Sequence, residues 1–223
     1  MKKITCRGLM TRNLWGGYAV IVYPPELFMA QVKILVKGYA KREKGVELAQ
    51  PNTVLIFDGN IKVLVDPGSN AKLLLKALKK EKLKPWDIDI IFLTHYHLDH
   101  LLNIRLFPEH DIYDGDTINR ADKIISYSAS KIPKTNIQII KTPGHAHEHC
   151  SLIAQTARGK VAIAGDVWWW ASNEKQKLNK ASLLKKKDLY AKNQKALLAS
   201  RKALLAAADC IIPGHGKTFR VEK

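Results

Sequence analysis

Thr94-His95-Tyr96-His97-Leu98-Asp99-His100, standing directly after the apolar run Ile88 to Leu93, decides how the chain is read. His95, His97, Asp99 and His100 can all ligate a metal, and they crowd the point where a buried strand is expected to end. Imidazoles and carboxylates carry desolvation costs that a packed core avoids. Solvated turn histidines are the plain alternative; a metal site explains the crowding better. Side chains two apart on an extended segment point the same way, so His95 and His97 are expected to approach one ion while Asp99 and His100, past the strand end, turn toward a second. Neutral imidazole with carboxylate oxygen suits zinc best, and iron and manganese accept such mixtures.

A two-metal site needs more ligands, and the rest of the chain supplies them. His145 and His215 each sit in a Pro-Gly-His turn, Pro143-Gly144-His145 and Pro213-Gly214-His215, each after an apolar run. Asp166 closes Ala162-Ile163-Ala164-Gly165-Asp166, expected to be another strand end with glycine permitting close backbone approach. Any one of these alone is an ordinary turn. Their order along one chain is what makes a pattern.

That order resembles the metallo-β-lactamase superfamily: His-x-His-x-Asp-His, a single His, a single Asp, a final His. The resemblance implies that His95, His97 and His145 hold a first metal, that Asp99, His100 and His215 hold a second, and that Asp166 bridges them. It also implies a structural role beside the ligands for Asp66, in Leu64-Val65-Asp66-Pro67-Gly68, and a hydrogen-bonding role for His149. Asp166 where some zinc β-lactamases use cysteine makes the chain similar to hydroxyacylglutathione hydrolase (glyoxalase II)-like enzymes. A closer likeness, over residues 31 to 223, is to the metallo-β-lactamase domain-containing protein 1 group. It is carried by Val36-Lys37-Gly38-Tyr39-Ala40, Leu106-Phe107-Pro108, Gly165-Asp166-Val167 and the ending Ile212 to Val221. Two departures are a glycine absent from Asp99-His100-Leu101-Leu102-Asn103 and the run Trp168-Trp169-Trp170. His147 is expected to stay off the metals, and His110 reads as a surface histidine.

The resemblance implies an α/β fold, a four-layer αββα sandwich with the metals at one edge, and a single domain over residues 1–223 in which 1–30 form an extension of uncertain place. Local patterns agree. Val32 to Ala40, Asn52 to Phe57 and Lys62 to Val65 read as strands, the last two joined at Asp58-Gly59-Asn60. Ser69 reads as the N-cap of a helix through Leu73, Leu74, Ala77 and Leu78. Lys123 to Tyr127, Ile137 to Lys141, Cys150 to Gln155 and Lys160 to Ala164 read as further strands. Leu183, Tyr190, Leu197 and Leu204 suggest one long helix with an apolar stripe.

The chain of 223 residues carries a formal charge of +17, and residues 175 to 202 hold ten basic side chains against Asp188 alone. Such a segment can attract an anionic substrate; a solvated helix face is the simpler account. Basic and polar residues interrupt the N-terminal apolar stretches, so neither a signal peptide nor a membrane span is expected, and a cytoplasmic protein is. Cys6, Cys150 and Cys210 lack redox or zinc-finger spacing, and Cys150 and Cys210 read as small buried residues.

The leading expectation is a dinuclear metal-dependent hydrolase, with two divalent ions, zinc before iron or manganese. A metal-bridging hydroxide would attack an ester, thioester, lactam or phosphoester, with Asp99 orienting the water. The alternative is a metal-dependent endoribonuclease acting on RNA, favoured by charge; nothing resembles the exosite arm or inserted domain of the superfamily's known nucleases. An oxidative iron protein and a non-catalytic binding domain are further readings, and the complete ligand set argues against both. A small-molecule or anionic substrate, no membrane and a homodimer complete the expectations.

Overall fold

The computed structural model describes residues 29–128 and 130–222, together with the backbone of Leu9–Met10 and Ile21–Val22. The expected N-terminal extension, residues 1–30, and Cys6 lie almost wholly outside the described residues. In chain order the elements are β1 (Leu9–Met10), β2 (Ile21–Val22), β3 (Gln31–Val36), β4 (Tyr39–Glu43), β5 (Val46–Gln50), β6 (Thr53–Asp58), β7 (Ile61–Val65) and α1 (Ala71–Lys80). There follow β8 (Ile90–Phe92), α2 (Leu98–Leu101), β9 (Ile112–Tyr113), β10 (Thr117–Arg120), β11 (Lys123–Ser126), β12 (Gln138–Lys141) and β13 (Cys150–Thr156). The last are β14 (Gly159–Trp169), α3 (Lys180–Lys185), α4 (Gln194–Ala207), β15 (Cys210–His215) and β16 (Phe219–Arg220).

Two sheets carry the fold. One has the order β11-β10-β9-β8-β7-β6-β3 and the other β12-β13-β14-β15-β16, while β4 and β5 form a separate hairpin. Alternation along each strand sorts the apolar side chains into layers. Val54, Ile56, Val63 and Val65 meet Leu152, Ala154, Ile163 and Ile212 between the sheets. Leu55, Leu64 and Ile91 face the other way onto Leu74 and Leu78 of α1. Ile153, Ala162 and Ile211 face Leu197 and Leu204 of α4. Helix, sheet, sheet, helix is the αββα sandwich that the resemblance implied.

Parallel pairing of β7 with β8 and of β14 with β15 brings strand ends carrying candidate ligands to one edge. Here the structure corrects several local expectations. Asp166 is not at a strand end: β14 runs on to Trp169, and its register against β15 shifts on both sides of Gly165, whose φ is +51°. A Cβ on Gly165 would stand 2.7 Å from His149 Nε2 and from Thr94 Oγ1, so only glycine lets the strand bend there. The expected strand Val32 to Ala40 breaks into β3 and β4 around Gly38. Asn70, not Ser69, caps α1, its side chain accepting from Leu73 N at 3.1 Å. The expected long helix is two, α3 and α4, because residues 186–193 leave the helical path and Asn193 caps α4 afresh. Tyr190 consequently leaves the apolar stripe and is 56% exposed. Within the Trp168-Trp169-Trp170 run, Trp168 and Trp170 are buried against the second sheet's outer layer and Trp169 alone reaches a cleft.

Candidate metal centre

All seven expected ligand positions converge, in two groups. His95, His97, His145 and Asp166 form one, and Asp99, His100 and His215 the other, with the ligating atoms of each group within 4.8 Å of one another. Asp166 divides its carboxylate between them. Its Oδ2 lies 3.4 Å from His145 Nε2 and 4.0 Å from His95 Nε2, while its Oδ1 lies 3.4 Å from His100 Nε2 and 3.7 Å from His215 Nε2. Asp99 Oδ2 stands 3.2 Å from His215 Nε2, on the second side only. Glycine again makes room: a Cβ on Gly214 would overlap Asp166 Oδ1 at 1.8 Å.

The local chain explains the aim of each ring. A histidine that donates its outer N–H to an acceptor presents a lone pair on its inner nitrogen. Thr94 Oγ1 donates to Asp66 Oδ2 at 2.8 Å and so can accept from His95 Nδ1 at 3.0 Å. His145 Nδ1 faces Asp188 Oδ2 at 2.8 Å. His100 Nδ1 faces Asp66 Oδ2 at 2.8 Å, and His215 Nδ1 faces the Tyr39 carbonyl at 3.1 Å. The inner nitrogens then crowd: His97 Nδ1 is 3.0 Å from His95 Nε2 and 2.9 Å from His145 Nε2. Converging lone pairs repel unless a cation sits among them. His100 Nε2 and Asp166 Oδ1 are buried without a hydrogen-bond partner, which is what metal-facing atoms look like in the protein alone. The residues fit two divalent ions.

Electrostatics point the same way. Burial pushes His95 well below its ordinary value, and burial pushes His149 down to about 3, so both rings are neutral near pH 7. Burial opposes ionisation of Asp166, but the surrounding imidazoles outweigh it and hold the carboxyl well below the usual range. Burial also lowers His100 and His215, and there the carboxylates win and raise both. A site so rich in carboxylate binds positive charge, and a metal ion would take the place of those protons.

Asp66, 2% exposed, anchors this edge by accepting from Thr94 N, Thr94 Oγ1 and His100. His149 bonds to Asp166 through the backbone, its Nε2 accepting from Asp166 N at 3.1 Å, and holds Thr142 with its other nitrogen. His147 is exposed and outside both groups. In place of the absent glycine after Asp99-His100, the loop is closed by buried Asn103, which bonds to Gly68 O and Pro67 O. His110 is not a free surface residue: it is half-buried, with Nε2 2.9 Å from Ile88 O. Cys150 is buried as expected, whereas Cys210 is only half-buried.

Asp188 was not legible as part of the site. It is buried, and besides His145 it accepts from Trp169 Nε1 and Tyr190 N, each at 3.0 Å. Its being the one acid in a basic stretch was the available signal. Arg201 of that stretch is also buried, donating to the Val167 and Lys186 carbonyls, so it is no part of a solvated face.

A comparison with known families matches residues 46–138 to the metallo-beta-lactamase superfamily. That segment is of the metallo-β-lactamase superfamily type. The family match and the relatives support metal-dependent hydrolysis as the class of chemistry. The chain is 29% identical over 209 residues to metallo-beta-lactamase domain-containing protein 1 of Xenopus laevis, covering 86% of this chain and 82% of that one. It is 33% identical to the hydroxyacylglutathione hydrolase of Buchnera aphidicola over a shorter stretch, 39% of this chain and 36% of the relative. Among solved structures, a metallo-beta-lactamase-type protein of Thermotoga maritima superposes with a TM-score of 0.63 at 19% identity, over 86% of this chain and 99% of that one. Among the described residues no helix is long and apolar enough to cross a membrane.

Proposed function

We propose that the centre is that of a dinuclear hydrolase acting on a small ester, thioester, lactam or phosphoester, with zinc as the metal in both positions. The observation that carries this reading is the divided carboxylate of Asp166, one oxygen toward each ligand group. Two divalent ions held there would acidify a shared water and polarise the scissile group. The protein's own contribution is positioning. Thr94, Asp66, Asp188 and the Tyr39 carbonyl fix the rings, His149 fixes the Asp166 backbone, and no side-chain nucleophile is needed. Asp99 lies on the wall of the adjoining cleft, where burial would raise its carboxyl but the hydrogen bond from His215 holds it below its ordinary value. It is ionised near neutral pH and can orient a water and accept its proton.

Reconstitution with excess zinc should give about two ions per chain, because seven ligands exceed what one tetrahedral ion accepts. Elemental analysis giving one ion or fewer would remove the reading. A second reading, an endoribonuclease, is favoured by the exposed lysines of residues 175–202. None of those lysines lines the cleft beside the metal centre, which ranks it lower.

A further inference from the structure

Beside the ligand groups lies a cleft of about 790 Å3, within the range of roughly 300 to 1,000 Å3 that small-molecule sites occupy. One wall is the β4–β5 hairpin, with Ala40, Leu48 and Ala49. The other carries Trp169 and Tyr190, and Leu98 stands between the ligands His97 and Asp99. Leu98 is 65% exposed, Tyr190 56% and Leu48 36%. Single exposed apolar residues mean little, but several gathered in one concavity beside a reactive centre mark a ligand surface. The walls are held in place: Ser172 N donates to Ala40 O at 2.7 Å, and Trp169 is pinned by Asp188.

Charge decides which ligand. The cleft's cations are Lys41 and Arg42, and the same hairpin lines it with two acids, Glu43 and Glu47. Lys41 Nζ is 2.7 Å from Glu43, and Arg42 stands opposite Glu47 in the strand register. Lys186, close behind Trp169, is bound to Glu174 at 3.1 Å. A polyanion needs several unmatched cations along its path, whereas this cleft's two cations are balanced by two acids of the same hairpin. We propose that the cleft binds the uncharged alkyl or aryl acyl group of an ester or thioester between Leu48 and the Trp169–Tyr190 wall, with the scissile carbonyl at the metal centre. The choice of an acyl bond rests on the hydrolytic reading above; the apolar occupant does not.

The zinc-loaded protein is assayed with neutral p-nitrophenyl acetate, butyrate and hexanoate. Binding of uncharged N-phenylhexanamide is measured by calorimetry with and without a short single-stranded RNA. We expect kcat/KM to rise about threefold to fourfold per methylene, and the anilide to bind with a negative heat-capacity change. Leu48→Asn and Tyr190→Ser, both at exposed positions, should each flatten the chain-length series and weaken the anilide about tenfold. Acetate turnover with no dependence on chain length, or displacement of the anilide by RNA, would overturn the proposal. If every ester were inert while the anilide still bound in a Leu48-dependent way, the hydrolytic reading would fall and the apolar occupant would stand.

Discussion

The carboxylate of Asp188 accepts from Nδ1 of His145 at 2.8 Å, and both residues are buried although 43 positions separate them. The pair ties a ligand of the first group to the segment between α3 and α4. Burial would raise the Asp188 carboxyl, yet its hydrogen bonds from His145 and Trp169 hold it below the ordinary range, so it stays an ionised acceptor. In that state it keeps the His145 proton on Nδ1 and the lone pair on Nε2.

Asp188→Asn should therefore act on one ion only. An asparagine can turn its amide N–H toward His145, which would move the ring proton to Nε2 and remove the ligand lone pair. We expect the first-group ion to bind about 10- to 100-fold more weakly, with the ion at His100 and His215 retained. Zinc titration against a competing chelator resolves the two sites; equal affinities in wild type and variant would refute the role.

Asp166→Ala should disturb both ions, since each carboxylate oxygen faces a different group. His147→Ala should leave the metal content unchanged, because that ring is exposed and outside both groups. Elemental analysis of the two variants after identical zinc loading compares them directly. Equal losses would mean that the loop after Gly144 is wrongly placed.

Asp114, bonded to the hydroxyl of Tyr96 between His95 and His97, offers a pH test at a carboxyl outside both ligand groups. Burial would raise its carboxyl, but the hydroxyls of Thr117 and Tyr96 and the backbone N–H groups of Asp116 and Thr117 bond to it and win, lowering it below the ordinary value. A lowered folded-state value means that the unfolded chain takes up the proton first. The stabilisation is thus complete above about pH 4, the ordinary carboxylate value, and is lost as pH falls through the lower folded value. Asp114→Asn should cost about 1 to 3 kcal/mol at pH 7. Denaturant titrations at falling pH should show that difference shrinking; a constant difference would contradict the assignment.

Replacing Lys185 and Lys187 by glutamine separates the two readings of the basic segment. Both are exposed, whereas Lys186 is largely covered, bound to Glu174 and stacked on Trp169, so including it would confuse charge with packing. We expect RNA affinity and its salt dependence to stay near wild type, since isolated exposed charges contribute little. A reduced salt slope, the sign of lost phosphate contacts, would favour the endoribonuclease.

Much of the site could be read from the chain because its ligands belong to short, ordered signals. His95, His97, Asp99 and His100 are neighbours, and Pro-Gly-His recurs at His145 and His215. Asp66 and His149 were legible through the resemblance to the superfamily. The partners of the rings were not. Asp188 sits among lysines in a segment whose periodicity suggested helix, and periodicity carries no information about a chain that leaves the helix for eight residues to turn an acid inward. Trp169 likewise could not be told from Trp168 and Trp170 until strand alternation and the bend at Gly165 assigned them to different surfaces.

By itself, then, the amino-acid order determined the ligand types and the apolar faces of strands and helices, because these depend on local spacing, while the grouping of the ligands and the four-layer architecture were implied by the resemblance to the superfamily. Only the tertiary structure decided which oxygen of Asp166 faces which group, which acceptor holds each ring nitrogen, and where the net charge of +17 lies relative to the cleft. Those depend on contacts between residues far apart in the chain, such as Asp188 with His145 and Tyr39 with His215. Their geometry is set by how two sheets and their helices pack, and no local pattern encodes it.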